Sequence, residues 1–248
     1  MENTSLIALS RQAALRRQMA VVANNIANMN TVGFQGERMM FVDHLVRSRG
    51  GERLLGEKLA FTRDIATMRD TAEGPVRQTG NPFDLAVRNG AYFVIETPQG
   101  ERYTRNGRFQ LDEAGQVVTQ HGFPVLTEGG GPLILAPDDR EVTISRDGTV
   151  ATRNGELGRL RVVKFENEQQ LRPVAGGYFQ APPDATPTAD EPARRDVVQG
   201  ALEDSNVQGV VEMTRMIEVH RAYDTVRKLI EVEDQRMKRM SEELSKPV

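Results

Sequence analysis

The chain has 248 residues, neither Cys nor Trp, and a formal net charge of −3 with its basic residues dispersed along the sequence. These features exclude disulfides and thiol catalysis, and they give no basic patch of the kind that nucleic-acid binding requires. No stretch approaches the ~18 apolar residues of a membrane span, and no apolar segment follows Arg11, Arg16 and Arg17 as in a cleavable signal peptide. We therefore expect one or two domains, without a membrane span or a cleavable signal peptide.

The first predicted element is a helix from Ser5 to about Ala27, within a terminal domain segment of residues 1–33. Its apolar residues are separated by alternating steps of four and three, which is the a/d pattern of a helix that packs along another helix. This seam consists of Leu15, Met19, Val22, Ile26 and Met29, with Ala8 as an extension and Gln12 as an interruption. Asn bonds readily to nearby backbone and Gly tolerates left-handed geometry, so a cluster of such residues predicts the helix end. The helix-end signature consists of Asn24, Asn25, Asn28, Thr31, Gly33 and Phe34.

A transition segment over residues 34–76 has no clear hydrophobic period. Residues 38–45 are interpreted as a short helix and residues 59–62 as a short strand, with Gly50, Gly51 and Gly56 breaking the chain between them.

Residues 77–180 alternate short apolar runs with turn dipeptides. Asn-Gly and Asp-Gly are the strongest short hairpin signals, because type I′ turns need positive φ at both central positions. They occur at Asn89–Gly90, Asn106–Gly107, Asp147–Gly148 and Asn154–Gly155. At least eight short strands at near-regular spacing predict an all-β domain of the sandwich or barrel type.

A Pro-, Ala- and acid-rich run over residues 181–196 is predicted to be a linker, and residues 197–248 to carry a C-terminal heptad helix. Met216, Tyr223, Ile230, Met237 and Leu244 form one row of its seam, and Val219, Val226, Glu233 and Met240 form the other. A helix with a narrow seam and polar flanks needs a partner helix. The fold class is therefore α+β, with an all-β domain inserted between terminal helices. These helices pair with each other as a coiled-coil-like domain or with helices of neighbouring copies.

No catalytic or metal-binding constellation emerges. His44, His121 and His220 lie in three different segments, and no two of them have metal-ligand spacing. Gly129–Gly131 lacks the Lys and helix of a phosphate loop, and the adjacent carboxylates of Asp112–Glu113 and Asp138–Asp139 are typical of turns. Arg102, Arg105 and Arg108 are interpreted as a solvated face or a protein contact. We expect no enzyme activity, no cofactor and no metal.

Three stretches resemble the axial proteins of the bacterial flagellum, the rod and hook subunits. They are ANNIANMNTVGFQGER from Ala23, QTGNPFDLAVRNGAYFVIETPQGERYTRNGRFQLDEAGQVVTQHGFPVL from Gln78, and GALEDSNVQGVVEMTRMIEVHRAYDTVRKLI from Gly200. They cover both ends and about half of the middle, in the order of the family. Length and opening sequence are most similar to proximal rod subunits, then to distal ones.

The resemblance implies a structural subunit of the basal-body rod, which assembles helically with other rod subunits through its terminal helices. It also implies delivery by the flagellar type III export apparatus with an uncleaved signal, and Arg221 and Tyr223 as contact residues of the C-terminal helix. A distal rod or hook subunit is the alternative within the family. A β-domain ligand-binding module with helical oligomerisation ends is the alternative outside it.

Overall fold

The computed structural model describes residues 2–47, 58–137, 139, 141–189 and 195–244. Side chains at 2–5, 41–47, 58–66, 189, 243 and 244 are not described, so those of His44 and Leu244 lie outside the described part, as does Asp138. The chain forms two compact units. The helical unit contains the described residues of Met1–Ala27, Glu37–Met68 and Gln208–Val248, and the β unit those of Asn28–Gly36 and Arg69–Val207.

The helical unit combines two helices with a two-stranded sheet. Helix α1 spans Glu2–Ala27 and helix α2 spans Gly209–Leu244. Strands β1 (Glu37–Arg47) and β2 (Lys58–Arg69) pair with each other. The short helix predicted over residues 38–45 is therefore wrong, and the predicted strand over 59–62 is part of a longer one. The hydrophobic period could not reveal that β1 pairs with the next strand, because strand formation depends on context more than on intrinsic preference.

The β unit contains short strands, whose bounds in chain order are β3 Val76–Gln78, β4 Leu85–Val87, β5 Tyr92–Thr97, β6 Gly100–Thr104, β7 Phe109–Leu111, β8 Val117–Thr119, β9 Thr143–Ile144, β10 Thr149–Thr152, β11 Gly155–Arg159, β12 Val162–Lys164, β13 Arg172–Val174, β14 Tyr178–Gln180, β15 Thr188–Ala189, β16 Val197–Gln199 and β17 Ala201–Glu203. Within the described residues, the largest sheet is antiparallel, in the order β13-β14-β6-β5-β12-β15. The predicted central β-rich region between terminal helices is confirmed.

Strand β5 lies at the centre of this unit and is buried on both faces. Phe93 and Ile95 belong to one apolar cluster, whereas Tyr92 and Val94 belong to a second one. Successive side chains of a strand point to opposite faces, so a strand between two cores is apolar at every position. This explains the uninterrupted run from Ala91 to Ile95 in the sequence.

The turn dipeptides predicted hairpins with mixed success. Asp147–Gly148 joins the paired strands β9 and β10, and Asn154–Gly155 joins β10 and β11. Asn89 and Gly90 both have positive φ, at 61° and 69°, yet they connect β4 and β5, which pair with other strands. Asn106–Gly107 likewise connects β6 and β7, whose partners lie elsewhere. The dipeptides therefore identify turns, but the hairpin interpretation is wrong at these two.

The two segments before helix α2 differ from the prediction. The described part of the predicted linker contains the edge strand β15, which pairs with β12. Ala181 and Ala185 pack against the second apolar cluster of the β unit, and Arg195 is buried. Residues 197–203 form β16 and β17, which pair with β4 and β3. The β unit thus continues to Val207, because its early strands need these late partners.

Candidate assembly surface

Helix α2 buries one narrow face whose residues repeat at heptad spacing. Val219 and Val226 are buried, and Met216, Tyr223 and Ile230 are half-buried. These five residues are separated by alternating steps of three and four, which keeps them on one side of the helix.

Helix α1 is also shielded along one side. Ala8, Ala14 and Val22 are buried, and Leu15, Met19 and Ile26 are half-buried. The structure adds Ala14 to the residues that the sequence pattern identified. Met29 is half-buried too, but it lies beyond the helix, in the β unit.

The two helices are antiparallel. The Asn25 side chain, near the end of α1, donates a 3.2 Å hydrogen bond to Glu212 in the first turn of α2. At the other end, Ile7 of α1 and Leu229 of α2 line one groove. Because α1 has 26 residues and α2 has 36, α2 is longer by about 15 Å. Its last turns therefore extend past the beginning of α1, and Met237 and Met240 are exposed there.

Asn25 has a role that the sequence analysis did not assign. It lies within α1 and is buried, and its side chain forms hydrogen bonds with both backbone groups of Glu37, at 2.8 and 2.9 Å. Glu212, which accepts from Asn25, also accepts a 2.6 Å hydrogen bond from Arg215. Asn25 thus fixes the beginning of β1 against α1, whereas Asn24 is exposed on the helix surface.

The rest of the helix-end signature lies in the β unit. Asn28 and Thr31 form a turn, in which the Thr31 amide donates to the Asn28 carbonyl at 3.0 Å and the Phe34 amide to the Thr31 carbonyl at 3.2 Å. Gly33 has φ of +68°, and a Cβ there would lie 2.6 Å from the backbone of Arg105. Gly33 therefore permits a close approach of two chain segments as well as a left-handed turn.

A buried ion pair also holds the segment around Gly33 in place. Arg105 is fully buried and forms two hydrogen bonds with Glu203, Nε to Oε2 at 2.9 Å and Nη2 to Oε1 at 3.0 Å. The Glu203 carboxylate also accepts from the Gly74 amide at 3.0 Å, and its backbone carbonyl accepts from the Gly33 amide at 2.8 Å. The interpretation of Arg105 as a solvated or protein-contact residue is wrong, since spacing alone does not reveal a partner ninety-eight residues away.

Burial and charge act against each other in this pair. Burial works to lower the pKa of Arg105, yet the Glu203 carboxylate raises that pKa above its ordinary value. Burial raises the pKa of the Glu203 carboxyl, and the Arg105 guanidinium opposes that rise. The Arg105 guanidinium also lies 5.5 Å from the ring centroid of Tyr92, a favourable cation–π position. The signal available in the sequence was the Glu-Asp-Ser-Asn stretch of the third resemblance, which contains Glu203.

Asn206, from the same stretch, joins three chain segments. Its Oδ1 accepts from the Gly36 amide at 2.8 Å, and its Nδ2 donates to the carbonyls of Asp70 and Ala72, both at 2.8 Å. A Cβ on Gly74 would lie 1.9 Å from the Asp204 carbonyl oxygen. The N-terminal and C-terminal signatures thus meet in one polar network of the β unit.

The β unit also has a shallow cavity of about 640 Å³ beside His121. The His121 Nδ1 lies 2.7 Å from the Tyr178 hydroxyl, which donates to Thr119 at 3.1 Å. Among the side chains that the structure describes, no group of three His, Asp or Glu residues could hold a metal ion. Within the described ranges, no helix is long and apolar enough to cross a membrane.

Known protein families match this chain in three places. Three family models match in chain order: Flagella basal body rod protein over residues 6–35, Flagellar hook protein FlgE/F/G D1 domain over 86–157, and Flagellar basal body rod FlgEFG protein C-terminal over 198–243.

Several curated relatives match along almost the whole chain. The flagellar basal-body rod protein FlgF of Caulobacter vibrioides is 37% identical, with 93% of each chain covered. FlgF of Mesorhizobium japonicum is 36% identical, covering 93% of this chain and 92% of the relative. The flagellar basal-body rod protein FlgG of Agrobacterium fabrum is 33% identical over 92% of this chain and 94% of its own. The family is one of structural proteins rather than enzymes, and this chain belongs to the flagellar basal-body rod protein family.

Proposed function

We propose that this chain is a structural subunit of the flagellar basal-body rod, of the proximal type. The observation that carries the proposal is the contrast in burial between the two units. The β unit encloses most of its large apolar side chains, with Leu111, Ile134 and Leu157 as partly exposed exceptions, whereas the smaller helical unit leaves Val210, Ile217 and Val232 at least half exposed. Large exposed apolar side chains along helices are typical of surfaces that other subunits cover. The higher identity of the FlgF relatives favours the proximal type over the distal one.

The helical unit is proposed to act as a coiled-coil-like assembly domain. Of the residues predicted from the heptad pattern, those that are buried or half-buried on α1 and α2 would form the inner seam, and the antiparallel contact of the helices supports this pairing. Arg221, which is exposed, is available for contacts between subunits, whereas half-buried Tyr223 would act mainly within the seam. Asn25 and Glu212 would fix the register of the two helices, because a buried polar pair has no equivalent partner in a shifted alignment.

The proposed partners are other rod and axial subunits, and the proposed location is the basal body. We further propose that the chain reaches the rod through the flagellar type III export apparatus. The absence of Cys supports this route, because a chain without crosslinks can be threaded unfolded. The helical unit supports this route as well. Terminal helices with few buried side chains gain little stability from folding alone, so they can be exported unfolded and become ordered when neighbouring subunits cover them.

The test is incorporation of an Ile230→Asp variant into hook–basal bodies. A carboxylate on the half-buried seam should prevent incorporation, because charge cannot be buried there without a partner. Gln235→Asp adds the same charge at an exposed position of α2 and should incorporate normally. Mass spectrometry of purified basal bodies measures incorporation, and thermal unfolding followed by tyrosine circular dichroism checks the β unit.

Two results would contradict the proposal at different levels. Normal incorporation of Ile230→Asp would show that the helical seam is not needed for assembly. Absence of the unaltered chain from basal bodies would refute the rod function itself.

A further inference from the structure

One side chain holds most of the segments through which the chain passes between its two units. These passages follow Ala27, Gly36, Met68 and Val207. Asn206 lies directly before the last passage, and its side chain binds backbone beside the second and the third. Asn206 therefore touches three of the four connecting segments, all on the side of the β unit.

The hydrogen bonds around Asn206 form a closed ring. Its Oδ1 accepts from the Gly36 amide and its Nδ2 donates to the Asp70 carbonyl, both at 2.8 Å. The Asp70 amide in turn donates to the Gly36 carbonyl at 2.7 Å. A second bond of Nδ2, to the Ala72 carbonyl at 2.8 Å, extends the ring. We call these four residues the amide junction.

A primary amide is chemically suited to this place. It offers an acceptor and two donors, which complement one backbone N–H and two backbone carbonyls. Asn206 uses all three groups in this way. An Asp of the same shape would lose both donors and would place a carboxylate against two carbonyl oxygens.

A second amide side chain holds the neighbouring residue. The Gln169 Oε1 accepts from the Arg69 amide at 3.1 Å, and its Nε2 donates to the Arg69 carbonyl at 2.6 Å. Strand β2 ends at Arg69, and Asp70 of the amide junction follows directly. Two side-chain amides from different segments thus fix the backbone where β2 ends.

The amide junction lies outside the core of the β unit. Asn206 is half-buried and belongs to neither apolar cluster. The same part of the chain is already held by the pairing of β17 with β3 and by the Arg105–Glu203 ion pair. The contacts of Asn206 go to connecting segments instead, which points to a role in positioning them.

We infer that Asn206 is a positioning residue of the rod subunit. Its amide fixes the segments that lead to β1, from β2 and to α2, and the rod needs this fixation beyond the stability of the β unit. The inference rests on the proposed rod function. A rod subunit carries mechanical load, and the segments at Gly36 and Asp70 move independently once the ring between them is broken.

Gln199 offers a matched control within the same unit. Its Oε1 accepts from the Ile144 amide at 3.0 Å, and its Nε2 donates to the carbonyls of Pro82 and Val142 at 3.0 and 2.9 Å. Gln199 is half-buried, as Asn206 is. It therefore makes the same three kinds of contact, but with segments inside the β unit that do not lead to the helical unit.

The first test compares Asn206→Asp with Gln199→Glu in the purified full chain. Each change removes two donors and adds one negative charge, so urea denaturation should show similar shifts of the midpoint. Hydrogen exchange at the Gly36 and Asp70 amides should become about tenfold faster in Asn206→Asp and remain unchanged in Gln199→Glu.

The second test places the same variants in cells that make no other copy of this chain. Asn206→Asp should be present in purified basal bodies but should reduce swimming speed, with a larger loss in viscous medium. Gln199→Glu should swim as the unaltered chain does. Asn206→Ala and Gln199→Ala remove the amides without adding charge and should show the same contrast.

Four results would overturn the inference. Undiminished swimming with both Asn206 variants would show that the rod does not need the amide junction, and an equal loss with the Gln199 variants would show an effect of stability alone. Unchanged exchange at Gly36 and Asp70 would show that Asn206 does not fix them. Unfolding of both Asn206 variants, where the Gln199 variants stay folded, would make Asn206 a residue of the fold only.

The proposed rod function is decided separately. If the unaltered chain is absent from basal bodies, the rod function fails, whatever the Asn206 variants do. If the unaltered chain is present and the Asn206 variants swim normally, only the positioning role fails.

Discussion

The β unit and the helical unit differ in how completely each satisfies its own side chains. In the β unit, Phe93, Ile95 and Leu160 are fully buried, and even a guanidinium, that of Arg105, has a carboxylate partner within the core. In the helical unit, described side chains as large as Met213 and Leu229 are about half exposed. The β unit therefore has the interior of an independently stable domain, whereas the helical unit has an incomplete one.

The difference follows from geometry as much as from composition. A strand buried on both faces, such as β5, can contribute every side chain to a core. Two paired helices bury only the narrow stripes that face each other, and the remaining apolar residues need further helices. Under the proposed function, stability and assembly depend on different parts of this chain, and substitutions can separate them.

Loss of the buried ion pair should have the largest effect. Arg105→Ala leaves Glu203 buried without its cation, and we expect the free energy of unfolding of the β unit to fall by about 3–5 kcal/mol. Urea denaturation measures this, followed by tyrosine fluorescence, to which the β unit contributes Tyr92, Tyr103 and Tyr178.

The matched control removes an exposed ion pair of the same unit. Arg77 lies 3.0 Å from Asp204, but both side chains are solvent-accessible, so Arg77→Ala should cost less than about 1 kcal/mol. Equal effects of the two variants would show that burial of Arg105 does not decide its contribution.

Gly33→Ala should have the next largest effect. An L-residue at this φ costs about 1–2 kcal/mol, and the added Cβ would also push against the Arg105 backbone. We therefore expect Gly33→Ala to lower the free energy of unfolding of the β unit by about 3 kcal/mol. Gly122 has a φ of +80° with nothing within 4 Å of a Cβ, so Gly122→Ala should show only the cost of the backbone conformation. The difference between the variants, measured by urea denaturation, isolates the close approach.

Sequence patterns predicted the elements with a strong local period. The heptad spacing predicted a seam on α2, where Val219 and Val226 are buried, and the Asn cluster predicted the end of α1 within a residue or two. Turn dipeptides identified the positions of turns. These features depend on neighbours within a few residues, which the sequence displays directly.

Long-range pairing was not predictable in the same way. The Arg105–Glu203 pair, the contact of Asn25 with Glu212 and the pairing of β16 with β4 each join segments that are distant in sequence. A single sequence shows which residues are polar, but not which polar residue is buried beside which partner. Asn25 was consequently predicted to end a helix, although it lies within α1 and fixes β1.

The smallest effect on stability should come from the protruding end of α2. Met240→Gln keeps the length and helix preference of the side chain, and because Met240 is exposed, the free energy of unfolding should change by less than about 0.5 kcal/mol. Val226→Ala on the buried face of the same helix should cost about 1–2 kcal/mol, since it removes packed methyl groups. Urea denaturation followed by far-UV circular dichroism, at a concentration where the chain is monomeric, compares the two. Equal losses in the free energy of unfolding would mean that the end of α2 is already covered in the single chain. The helical unit would then bury its own apolar side chains as the β unit does, and the contrast between the two units would be wrong.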